Sequence, residues 1–148
     1  MSARSILILY SLPHFFLPDG SVDVFGRKSV LSRLQAVKEA LVSQGYSVKA
    51  LEMKEDLSPM VDSILRSGAG LVFNLCEEFR GKSRLEMNVA ALLELLEIPF
   101  SGSSSLVLGL SQDKGKTKSI LAHHGVPTPP TPCGPRRNPL RPPTCGFR

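Results

Sequence analysis

The sequence predicts an α/β fold: a Rossmann-like open parallel sheet of about four strands with helices on both faces, followed by a disordered C-terminal tail. Three observations predict it. Short apolar runs with β-branched content alternate with stretches of helical periodicity. Strand and helix take turns along the chain, and right-handed crossovers then make the sheet parallel and cover both faces. After Val126 the composition breaks: eight of the 12 prolines lie between Pro127 and Arg148, where Leu140 and Phe147 are the only large apolar side chains. Such a segment buries too little apolar surface to offset its ordering entropy, roughly 1–2 kcal/mol per residue for the backbone. The expected division is a domain over residues 1–129 and a tail over 130–148.

The elements follow in order. Ser5–Tyr10 (SILILY) reads as a buried parallel strand. Its apolar run extends far enough to suggest a signal peptide, but Pro13 and His14 interrupt it and only Arg4 precedes it. Ser11–Arg27 holds Pro13, Pro18, Gly20 and Gly26 and reads as a long loop. Lys28–Gln44 carries Val30, Leu31, Leu34, Val37, Leu41 and Val42 at helical spacing, with Gly45 placed for a left-handed C-cap. Tyr46–Leu51 is the second strand. Ser58-Pro59 starts a helix, the hydroxyl as N-cap and proline at the first helical position, with Met60, Val61, Ile64 and Leu65 as its apolar side. Gly68 and Gly70 end it. Leu71–Leu75 is the third strand, Ser83–Leu96 a helix with Leu85, Val89, Leu92, Leu93 and Leu96 facing inward, and Ile98–Ser101 a short fourth strand. Ser104–Leu110 and Lys114–His123 are further helices.

Bulk properties exclude several classes. The 148 residues make room for one core, and 42% hydrophobic with 21% charged residues is ordinary for a globular protein. No run of 18 apolar residues occurs, so a membrane span is not expected. Cys76, Cys133 and Cys145 show neither metal-ligand spacing nor a disulfide framework, which points to the cytoplasm and to no metal site. The net charge of +5 is concentrated at one end: Arg136, Arg137, Arg141 and Arg148 supply four charges, and no acid follows Asp113. A basic tail on a nearly neutral domain is not a nucleic-acid-binding face, and no nucleic-acid or membrane partner is expected.

In parallel open sheets, ligands bind outside the C-terminal ends of the strands. Three loops fall there: Ser11–Arg27, Asn74–Ser83 and Gly102–Ser105. Asn74, Glu77 and Glu78 follow the third strand, where carboxylates can hold a substrate ammonium or simply be solvated. Phe100–Ser105 (FSGSSS) joins a strand to a helix through a small-residue turn whose free N–H groups can hold a carboxylate or phosphate, although no complete phosphate loop is present. Lys114, Lys116 and Lys118 crowd a helix start, against the helix dipole; an anionic partner or a solvated basic turn both fit. His123 and His124 suit the end of that helix.

Together these pieces resemble the N-terminal domain of the D-alanine–D-alanine ligase family, within the ATP-grasp superfamily. The stretches that carry the resemblance are AVKEALVSQGYSV at Ala36–Val48, VFNL at Val72–Leu75, ALLELLEIPFSGS at Ala91–Ser103 and DKGKTKSILAHHGVPTP at Asp113–Pro129. The resemblance implies an ATP-dependent carboxylate–amine ligase of peptidoglycan synthesis. One amino acid's carboxylate is phosphorylated and a second amine attacks the acyl phosphate. It implies that Asn74, Glu77, Glu78 and Ser103 lie beside an amino-acid-like substrate and that Lys114 approaches the ATP phosphates. ATP and Mg2+ are the cofactors of the full-length family. They are held by a central and a C-terminal domain that nothing after Pro132 resembles, so neither is expected to bind this chain tightly. Relatives often pair through this domain, which makes a homodimer the assembly to test. Two departures stand out. The family's glutamate that orients a substrate amine before the first helix has no counterpart in Val24–Ser32, which points to a divergent, ligase-like member. The tail's bias directly after GVPTP suggests truncation or a frameshift near Pro129–Thr131, which leaves the chain inactive by itself. A freestanding Rossmann-like module that binds a small ligand or anion is the alternative.

Overall fold

The structure is a computed structural model that describes residues 5–13 and 23–129. The tail over 130–148 lies outside the described residues. The chain divides into two compact units, one up to Gln112 and one from Asp113 onward.

In the first unit, strands β1 (Ser5–Tyr10), β2 (Ser47–Glu52) and β3 (Leu71–Leu75) form a parallel sheet in the order β2-β1-β3. The register pairs Leu7 with Lys49 on one side and with Val72 on the other. The sheet has three strands, not four. Phe100 of the expected fourth strand meets Val72 only through an isolated parallel bridge. The Val72 N–H donates to the Pro99 carbonyl at 2.8 Å and the Ser101 N–H donates to the Val72 carbonyl at 2.9 Å. Extending that ladder backwards needs an N–H at Pro99, which proline lacks. Forwards, the Asn74 N–H donates to the Ser101 hydroxyl at 3.0 Å instead of to its carbonyl.

Helix α1 (Val24–Ser43) connects β1 to β2 and begins four residues before the expected Lys28. The cause is Asp23, whose carboxylate accepts from the Gly26 N–H at 2.9 Å. A Cβ on Gly26 would lie 2.4 Å from that carboxylate, so glycine permits the cap. Val30, Leu34, Val37 and Leu41 make a narrow inward stripe, while Leu31 and Val42 face outward. At the far end Gly45 takes φ +82° and the Tyr46 N–H reaches back to the Leu41 carbonyl, a glycine-capped stop.

Helix α2 (Leu57–Arg66) connects β2 to β3. Its N-cap is Asp56, whose carboxylate accepts from the Ser58 N–H at 3.2 Å, so the expected cap at Ser58 sits inside the first turn. Helix α3 (Glu86–Leu95) follows a 3-10 turn at Ser83–Leu85. Both helices pack on the sheet face opposite α1. There Leu7, Leu9, Met53, Met60, Ile64, Val72, Cys76, Val89 and Leu93 form the main core cluster. Helix α4 (Ser105–Gln112) lies against α3, with Gly109 closely approached by the Met87 thioether.

The second unit contains helix α5 (Lys114–His123), with the bounds the sequence predicts. Asp113 is its N-cap and accepts from the Lys116 N–H at 3.1 Å. His124 is the C-cap residue.

Candidate functional site

The strand order β2-β1-β3 reverses direction between β1 and β3, and open α/β sheets take their ligands at such a switch point, in a crevice beyond the strands' C-terminal ends. Two short polar contacts join the chain segments at that end of the sheet. The Glu77 N–H, just past β3, donates to the Ser11 hydroxyl, just past β1, at 3.2 Å. The Asn74 N–H donates to the Ser101 hydroxyl, which brings the turn at Gly102–Ser104 alongside. Ser11 is only 7% exposed, so its hydroxyl is a fixed part of the scaffold.

The sequence-predicted residues divide by role. The Asn74 side chain accepts from the Cys76 N–H at 3.1 Å, an Asx-turn that bends the chain out of β3. Glu77 faces α1 and forms a forked ion pair with Arg33, whose second arm reaches it at 3.4 Å. The pairing raises the Arg33 pKa further. Both side chains are about half exposed, so the pair orients Glu77 more than it stabilises the fold, contributing about 0–1 kcal/mol. Glu78 is 6% exposed, the sole buried acid among the described residues. Ser103 is exposed on the turn after Phe100, where Gly102 takes φ +110°. Lys114 opens α5 in the second unit and is exposed there.

The loop after Glu78 is tied down. Phe79 and Lys82 exchange backbone hydrogen bonds across Arg80 (φ +52°) and Gly81 (φ +68°), a two-residue turn with both central residues left-handed. The Arg80 guanidinium donates to the Glu55 carbonyl at 2.6 Å and lies 5.3 Å from the Phe79 ring centroid. Cys76 is buried beneath; burial pushes its thiol up to about 12, with Glu86 adding and the Ser11 hydrogen bond opposing. It is an inert core thiol at neutral pH.

Sequence reasoning missed Glu94. Its carboxylate accepts from the Ser105 N–H at 2.9 Å and from the Ser105 hydroxyl at 2.6 Å. The Ser105 hydroxyl, then its amide, hold Glu94 below the usual carboxylate range. The start of α4, read from sequence as an anion cradle, therefore already has a carboxylate of its own. Ser11, Arg33 and Ser101 were also missed. Each acts on a partner 27 or more residues away, and a local motif shows no such partner.

No protein-family model matches the chain. Comparison with known proteins finds similarity over part of it. The D-alanine–D-alanine ligase of Desulforudis audaxviator is 37% identical over 95 residues, 64% of this chain and 29% of that protein. The chain is similar to D-alanine–D-alanine ligases. The ligase of Syntrophotalea carbinolica gives 33% over 95 residues, again 64% and 29%. The uncharacterized protein y4sG of Sinorhizobium fredii gives 36% over 102 residues, 68% and 29%. The matched part is under a third of each relative's length. Among the described residues no helix is long and apolar enough to cross a membrane.

Proposed function

We propose that this chain is the substrate-binding N-terminal domain of a D-alanine–D-alanine ligase-like, ATP-dependent carboxylate–amine ligase of the cytoplasm. We further propose that the 148-residue polypeptide does not turn over by itself. The observation that carries the reading is the similarity to ligases from several organisms, which spans 64–70% of the chain. The geometry is consistent with it: Asn74, Glu77, Glu78 and the Ser103 turn gather at the edge where an open α/β sheet takes its ligand. In this reading Glu77 and Glu78 supply negative charge toward an amino acid's ammonium, and the Ser101–Asn74 contact fixes the turn that carries Ser103. Phosphoryl transfer depends on basic groups and a metal set around the phosphates. In this proposal those come from the rest of a ligase, with Lys114 contributing one cation.

The purified chain, given ATP, Mg2+ and D- or L-amino acids, is expected to release no phosphate above a Lys114→Ala control. Sustained release above that control refutes the proposal. A second reading, a freestanding small-ligand module, is favoured by one feature. Ser11, Asn74, Glu77 and Ser101 all belong to the first compact unit, so the crevice needs no other part of the chain. Binding of an amino acid without any effect of ATP supports that reading instead.

A further inference from the structure

The inward stripe of α1 begins one step before its first apolar member. Arg27 precedes Val30, Leu34, Val37 and Leu41 at the same three- and four-residue steps, so it shares their face toward the sheet. The helix returns antiparallel to β1, which puts this end of the stripe at the strands' C-terminal edge. Gly26, the neighbouring residue, closely approaches Pro13, two residues past Ser11: a Cβ there would lie 3.3 Å from the proline ring. Arg27 is half-buried, and its Nε is shielded from solvent with no hydrogen-bond partner among the described residues.

A buried donor on a charged group is unfavourable unless an acceptor meets it. The surroundings sharpen the point. From Val24 to Lys38 the helix carries Arg27, Lys28, Arg33 and Lys38 and no acid. Asp23 is engaged in capping Gly26, and Glu77 is engaged with Arg33. The helix dipole also disfavours a cation in the first turn. An inward arginine kept under those conditions, at the ligand edge of the sheet, has the chemistry of an anion receptor. Its planar fork fits a carboxylate bidentately.

We infer that Arg27 binds the carboxylate of the small molecule this crevice accepts. The inference rests on the reading of the sheet edge as an amino-acid site. The crevice then presents a cation on its α1 side and takes a molecule that carries a carboxylate.

The test is calorimetric titration of the full 148-residue chain with D- and L-alanine and with the corresponding alaninamides, which keep the ammonium and lose the carboxylate. The expected result is that alanine of one hand binds at least about 10-fold more tightly than its amide. Arg27→Gln abolishes that difference and Arg27→Lys retains part of it. Thermal melting without ligand guards against misfolding: Arg27→Met, which removes the unmet donor, leaves the Tm equal or higher while removing the discrimination. Equal binding of acid and amide, or discrimination that survives in Arg27→Gln, overturns the inference and leaves the amino-acid site standing. No binding of any of the four compounds overturns both.

Discussion

The two faces of the sheet are built differently. One is sealed by α2 and α3 over a continuous apolar cluster from Leu7 to Leu93. The other, among the described residues of the first unit, is covered by α1, through a stripe four apolar residues long that starts with an arginine and lies beside an ion pair. The difference separates stability from recognition. The first face holds the sheet together, and the second delivers charge to the strands' C-terminal edge.

The largest expected effect breaks the apolar face. Leu93 is fully buried, so Leu93→Ala removes a side chain at the centre of the cluster and leaves a cavity. Urea melts should show a loss of about 2–5 kcal/mol, whereas Val42→Ala on the outer side of α1 should cost far less. Next is a pH effect on the same face. Cys76 keeps its proton up to about pH 12 when folded, while an unfolded thiol ionises near pH 8.5. The folded state therefore binds more protons in that window, and stability falls as pH rises through it. The slope approaches 1.4 kcal/mol per pH unit. Cys76→Ala should lose this component of the slope, and the native Cys76 should resist alkylation at pH 8.

A smaller effect probes the polar edge. Ser101→Ala strands the Asn74 N–H and should cost about 1 kcal/mol, with faster hydrogen exchange confined to Asn74 and the Gly102–Ser104 turn. Smallest is Arg33→Ala, which should change stability by less than about 1 kcal/mol and shift mainly the signals of Glu77. If Arg33→Ala were as damaging as Leu93→Ala, the division between the two faces would be wrong.

The same division decides what could be read from sequence. Ser5–Tyr10, Leu71–Leu75 and Lys114–His123 have the bounds expected from their periodicity, because burial on a regular lattice leaves a local pattern. The α1 start was hidden because Asp23 and Gly26 sit in a stretch whose prolines and glycines read as loop. The α2 cap fell on Asp56 because a carboxylate two residues before Ser58 reached its amide first. The fourth strand shrank to a bridge at Phe100 because Pro99 has no donor and the Ser101 hydroxyl displaces its own carbonyl. At the site, Asn74 was legible as the polar residue near the end of a strand, and Glu77 and Glu78 as polar residues just past it. Their partners Arg33 and Ser101, and the Glu94 that caps α4, were not, since only the folded topology brings them near.

A cleft of about 420 Å3 between β2 and α2, lined by Lys49, Leu51, Pro59, Asp62 and Arg66, offers a competing place for a ligand. Backbone amide shifts of the 15N-labelled chain during titration with D-alanine decide between the two. Shifts are expected to gather at Ser11, Asn74–Glu78 and Gly102–Ser104. Shifts gathered at Lys49–Leu51 and Pro59–Ser67, with the sheet edge unmoved, would contradict that expectation.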